Sequence, residues 1–135
     1  MVKIYCDGAS KGNPGPSSLG VWATNKNGDG NSGDPVFEIS ENIGITTNNQ
    51  AEWRSLLRGL QEAVKRTEEE VEVYMDSELV VLQVKGVYKV KKPEFKPYWE
   101  EAQSHIKKFK KFSIQHIPRE LNKKADTLAN LAIKL

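Results

Sequence analysis

The segments IYCDG (4–8) and VYMDS (73–77) share one pattern: apolar, Tyr, apolar, Asp, then a small residue. Val2, Ile4 and Cys6 alternate with Lys3, Tyr5 and Asp7, and Val71, Val73 and Met75 alternate with Glu72, Tyr74 and Asp76. A period of two with one apolar face is the signature of a β-strand packed on one side. Each strand ends in an aspartate on the pleat face of its tyrosine. If the two strands are neighbours in a sheet, Asp7 and Asp76 lie side by side. Two ionised carboxylates at that range repel unless a cation sits between them.

The loop after Asp7, GASKGNPGP, could instead be a phosphate cradle or a plain turn. The cradle fails on spacing, because neither G-x-x-x-x-G-K-[ST] nor G-x-G-x-x-G is present. Two more acids favour the metal. Glu52 lies four and eight residues before Leu56 and Leu60, on the apolar stripe of the helix predicted over NNQAEWRSLLRGLQEAVKR. Asp126 precedes Ala129 and Ile133 by three and seven residues in the helix predicted over NKKADTLANLAIKL. Acids on inward stripes are costly unless paired. Any one of them could be the partner of a Lys or Arg, but four together point to a cation. Oxygen donors with no Cys or His cluster suit Mg²⁺ or Mn²⁺ rather than zinc.

Between these landmarks, LGVWATNKNGDGNSGDPVFEISENIGI predicts two strands around a turn rich in Gly, Asn and Asp. A helix follows, with its Asn residues as caps, then the VYMDS strand and a short helix, SELVVLQVKG. VYKVKKPEFKPYW is irregular and basic, PYWEEAQSHIKKFKK predicts a helix, and FSIQHIP a fifth strand. Asn122 is the expected cap of the last helix. Three strands followed by helix–strand–helix–strand–helix imply an α/β mixed sheet, antiparallel first and parallel later, flanked by helices.

The 135 residues fit a single domain over 1–135. No apolar run approaches a membrane span and no signal-peptide pattern opens the chain, so cytoplasmic residence and no membrane partner are expected. Cys6 is the only cysteine, which excludes an internal disulfide. The formal charge of +2 hides an asymmetry: residues 1–84 carry 7 Lys/Arg against 13 Asp/Glu, and residues 85–111 carry 9 against 3. An acidic part beside a basic one suits a protein that holds cations in one place and a polyanion in another, although solvated helix faces would give the same count.

YCDGASKGNPGP, TTNNQAEW, YMDSELVV and NKKADTLA resemble, in order and spacing, the four acidic motifs of type 1 ribonuclease H. The resemblance covers essentially the whole chain. It implies a ribonuclease H-like fold with a five-stranded mixed sheet, and an endonuclease that cuts the RNA strand of RNA–DNA hybrids. Asp7, Glu52, Asp76 and Asp126 match the family's catalytic, metal-binding acids. The implied mechanism uses two Mg²⁺ ions, replaceable by Mn²⁺, and leaves 5′-phosphate and 3′-hydroxyl ends. Asp7, on the first strand, is the best candidate to bridge both ions. Asn13, Asn48 and Asn49 match positions that hold the nucleic-acid backbone and read RNA 2′-hydroxyls. Equally, Asn13 suits a turn, and Asn48 or Asn49 a helix cap. Backbone amides near Gly8 and Ala9 could also face the minor groove. No obligatory protein partner is expected, and the chain is expected to be a monomer.

Two departures from the family stand out. The longer basic insertion of many relatives is replaced by the compact VKGVYKVKKPEFKPYW. The catalytic histidine loop is shortened: His116 has the family spacing to Asp126, yet it falls in the predicted strand, which leaves Arg119 in the loop. Arg119 is therefore favoured over His116 as the basic group that assists turnover. A resolvase- or transposase-like nuclease, a non-catalytic hybrid-binding module and a metal-dependent phosphatase are the competing readings. All four acids being present disfavours the binding module, and the Asn-rich contacts disfavour a pure DNA substrate.

Overall fold

The apolar faces of the two motif strands become the centre of the core: Ile4, Cys6, Val71, Val73 and Met75 are buried. In a computed structural model, which describes residues 1–133, the strands are β1 (Val2–Ser10), β2 (Gly15–Asn25), β3 (Phe37–Thr46), β4 (Glu70–Met75) and β5 (Lys111–His116). The helices are α1 (Asn48–Lys65), α2 (Glu78–Lys85), α3 (Lys96–Ile106) and α4 (Lys123–Ala132). The end of the final helix predicted over 122–135 lies outside the described residues.

The sheet order is β3-β2-β1-β4-β5. β2 pairs antiparallel with both β1 and β3, while β4 pairs parallel with β1 and with β5. This is the mixed sheet expected, with β1 at its centre. Apolar residues of α1, α2 and α3 join one buried cluster with Ile4, Val21 and Val73. On the other face Tyr5 and Trp22 pack with Ala125 and Leu128 of α4, and Tyr5 stacks on Tyr74 with ring centroids 4.9 Å apart.

Several boundaries differ from the sequence expectation. β1 does not stop at Asp7 but runs on to Ser10, because Gly8, Ala9 and Ser10 pair with Leu19, Ser18 and Ser17 of β2. The caps of α1 are not its asparagines. Thr47 is the N-cap and forms a capping box with Gln50, which places Asn48 and Asn49 inside the first turn. α3 ends at Ile106 rather than running through KKFKK, where Phe109 turns into the core and the Lys110 amide donates to the Glu69 carbonyl. Asn122 flanks α4 but gives it no side-chain cap.

Candidate active site

Parallel pairing of Cys6 with Met75 sets the end of β4 level with the middle of β1, so Asp7 and Asp76 emerge next to each other. Ligand crevices of open α/β sheets form at these carboxyl ends of parallel strands. β4 stops here while β1 continues, and the Gly8 amide donates to Glu52 Oε1 at 2.7 Å. That bond draws the first full turn of α1 onto β1. Only glycine permits the approach: a Cβ on Gly8 would lie 2.3 Å from the Ala51 carbonyl carbon. One carboxylate oxygen from each of Asp7, Glu52 and Asp76 lies within 4.8 Å of the other two.

Asp7 and Glu52 are only 6% and 8% exposed. Burial raises the Asp7 pKa far above the usual carboxylate range, and the neighbouring Glu52, Asp76 and Asp126 raise it further. Burial likewise raises Glu52, opposed by the Gly8 amide and by Arg119, with Asp76 and Asp126 adding to the rise. Asp76 is raised by burial too, while its hydrogen bond with Asp7 and the Arg119 charge pull the other way. Among the described residues, none of these three acids forms an ion pair. Crowded carboxylates that repel one another offer an oxygen donor set, and a hard divalent ion fits it.

These acids line an open cavity of about 470 Å³ that also takes in Asp126, Lys11, Asn48, His116, Arg119 and Asn130. Asp126 reaches it from the first turn of α4, outside the set whose oxygens all lie within 4.8 Å of one another but close enough to Asp7 to raise its pKa. Its carboxylate is steadied by Asn130, whose Nδ2 donates to Oδ1 at 3.2 Å and to the Asp126 carbonyl at 2.9 Å. Sequence reasoning passed over Asn130, although its i,i+4 spacing from Asp126 was visible.

Arg119 begins a 3-10 turn over Arg119–Leu121, with its guanidinium 3.7 Å from Asp126 Oδ1. His116 closes β5, half-exposed, with Nδ1 3.7 Å from Glu78 Oε2. Both basic groups expected near the site therefore border the cavity, on opposite sides of Pro118.

The expected substrate contacts divide. Asn48 lines the acidic cavity. Asn49 lines a second groove with Trp53, Lys89, Lys91 and Lys92, where the basic segment meets the start of α1. Asn13 Oδ1 accepts the Asn48 amide at 2.9 Å, so this side chain ties the β1–β2 turn to the helix. The Gly8 amide, expected to face the minor groove, is instead taken by Glu52 because β4 offers it no strand partner.

The chain resembles known proteins over nearly its whole length. Residues 5–132 match the family described as reverse transcriptase-like. The chain is 39% identical to a ribonuclease HI of Halobacterium salinarum, over 98% of this chain and 64% of that protein. It is 40% identical to the bifunctional protein Rv2228c of Mycobacterium tuberculosis, over 98% of this chain, and spans 35% of that protein's length. Among solved structures, the N-terminal RNase H domain of the latter superposes with a TM-score of 0.91 at 39% identity, covering 98% of each chain. LC11-RNase H1 in complex with an RNA/DNA hybrid superposes with a TM-score of 0.88 at 40% identity, covering 98% of this chain and 96% of that one. No described helix is long and apolar enough to cross a membrane.

Proposed function

Because this chain belongs to the type 1 ribonuclease H family, we propose that it is an endonuclease hydrolysing the RNA strand of RNA–DNA hybrids, with two divalent cations, Mg²⁺ or Mn²⁺, held at Asp7, Glu52, Asp76 and Asp126. The observation that carries the proposal is the clustering of three poorly exposed carboxylates at the ends of two central parallel strands. Bound cations would supply Lewis-acid stabilisation of the phosphodiester oxygens and would acidify an attacking water.

The chain's own residues do the rest. Asp7, on the central strand beside the other acids, would contribute to holding both cations. Glu52 is locked by the Gly8 amide, so its free oxygen keeps one direction. Asn130, one turn further along α4, holds Asp126. Arg119 stays charged throughout, so it acts on the product phosphate by position and charge rather than by giving up a proton. Asn48 and Asn49 face the sugars of the RNA strand, and Asn13 orients the Asn48 turn. Lys89, Lys91 and Lys92 beside Asn49 offer a phosphate path for the hybrid. Products would carry 5′-phosphate and 3′-hydroxyl ends.

The test uses matched RNA–DNA, DNA–DNA and RNA–RNA duplexes with Mg²⁺, Mn²⁺ or EDTA. Cleavage confined to the hybrid's RNA strand and abolished by EDTA is expected. Replacing the four ribonucleotides around a cut with 2′-deoxy residues should stop cleavage there. Efficient cutting of that patch, or of the DNA duplex, would favour the resolvase-like reading instead.

A further inference from the structure

The start of α4, which carries Asp126 and follows Arg119, is gripped by a loop almost a hundred residues away in sequence. Asn122 precedes the helix, but its side chain turns inward, fully buried, and donates from Nδ2 to the Cys6 carbonyl at 2.9 Å. The capping place it leaves is filled by Asn31 of the β2–β3 loop. Asn31 Oδ1 accepts the Lys123 amide at 3.2 Å, while Asn31 Nδ2 donates to the Glu120 carbonyl at 2.9 Å. Beside it the Gly30 carbonyl accepts the Lys124 amide at 2.9 Å. One loop thus satisfies the first amides of α4 and holds a carbonyl of the Arg119–Leu121 turn.

The loop is itself braced. Asp29 Oδ1 accepts the amides of Asn31 and Ser32 at 2.9 and 3.0 Å. Trp22 Nε1 donates to the Asp29 carbonyl at 3.0 Å, and Lys124 Nζ lies 5.1 Å from the Trp22 ring centroid. Gly30 is pressed so closely that a Cβ there would lie 2.5 Å from the Leu121 carbonyl oxygen and 2.6 Å from the Tyr5 ring. Tyr5 is two residues before Asp7. The same contact set therefore touches the strand of Asp7 on one side and, on the other, the turn of Arg119 and the start of the helix that carries Asp126.

We propose that Asn31 is a positioning residue for the active site: through its two hydrogen bonds it sets the Arg119–Asp126 segment against the acids of β1 and β4. Outside partners that orient metal ligands typically alter metal affinity or activity by about 10–100-fold. Asn31 touches backbone rather than the carboxylate, so the low end, roughly tenfold, is expected.

This rests on the nuclease reading, and the experiment separates the two. In the full chain, Asn31→Ala should lower kcat for a hybrid roughly tenfold with KM little changed. It should weaken Mn²⁺ binding, measured calorimetrically with the metal alone, and speed amide hydrogen exchange at Lys123 and Lys124. Asn31→Asp keeps the acceptor for the Lys123 amide but loses the donor to the Glu120 carbonyl, so it should recover only part of kcat and Mn²⁺ binding. Wild-type kcat and Mn²⁺ affinity in Asn31→Ala, whatever its exchange rates, would overturn the proposal. So would loss of the folded circular dichroism signal, since the loop would then be a determinant of folding. A wild-type protein that cuts no hybrid would sink the nuclease reading alone, because the Mn²⁺ measurement still reports on Asn31.

Discussion

Glu52 Oε1 accepts the Gly8 amide at 2.7 Å, so the acid supplied by α1 is fixed one residue beyond the acid supplied by β1. The bond needs a helix terminus lying directly on a strand, and the missing Cβ of Gly8 is what allows it. Gly8, expected from the sequence to turn its amide to the minor groove, therefore governs how closely two of the carboxylates approach.

Gly8→Ala should consequently cost both stability and function. Its Cβ would meet the backbone of Ala51 and Glu52 at 2.3–2.6 Å, and a backbone cannot rotate aside. Overpacking of this kind costs about 1–3 kcal/mol, occasionally more. Urea unfolding should show the loss, and hybrid cleavage should fall further than the unfolded fraction accounts for. Wild-type stability in Gly8→Ala would contradict the close packing of α1 on β1.

Asp7→Asn or Asp76→Asn should nearly abolish cleavage, by roughly a hundredfold or more, while leaving the fold intact. Without metal, each variant should melt a few degrees higher than the wild type, because one member of a repelling cluster is removed. Hybrid cleavage assays and thermal melts in EDTA check both halves. Substantial retained activity in either variant would end the assignment of these acids as metal ligands.

The same acids set a pH dependence. Asp7, Glu52 and Asp76 have pKa values raised by folding, so the folded protein holds more protons than the unfolded chain above about pH 4. A raised carboxylate contributes its stability in full below the unfolded pKa and loses it as pH rises through the folded one. In EDTA, the melting advantage of Asp7→Asn over the wild type should therefore grow from about pH 5 towards pH 8. Adding Mg²⁺ at neutral pH should raise the wild-type melting point, since the ion binds only the assembled cluster. An advantage that shrinks with rising pH would reverse the sign and refute the crowding.

Arg119→Ala should lower kcat by about tenfold with little change in melting temperature, as its side chain is 78% exposed and its roles are charge and position. The half-exposed His116 side chain and its single long contact with Glu78 give it little to contribute to folding. His116→Ala should thus be close to wild type in both stability and kcat. The kcat profile of the wild type should lack a step near pH ~6.5. A large kcat loss in a folded His116→Ala, with Arg119→Ala near normal, would exchange the two assignments.

Much of this protein was legible in its residues. Period-two alternation placed Asp7 and Asp76 on one face of two strands, and a 3.6-residue period placed Glu52 and Asp126 on helices. The succession of elements predicted the mixed sheet. These features depend on residues within a few positions of one another, which is the range over which backbone geometry imposes a period. What only the tertiary structure decided depends on partners far along the chain. β1 outran its apolar pattern because β2 pairs with Gly8, Ala9 and Ser10. Gly8 gave its amide to Glu52, 44 residues away. Asn122, the expected cap of α4, turned to Cys6, and Asn31 capped the helix in its stead. Each is a hydrogen bond whose donor has several eligible acceptors by local chemistry, and the choice among them is made by which backbones the packed core brings within reach.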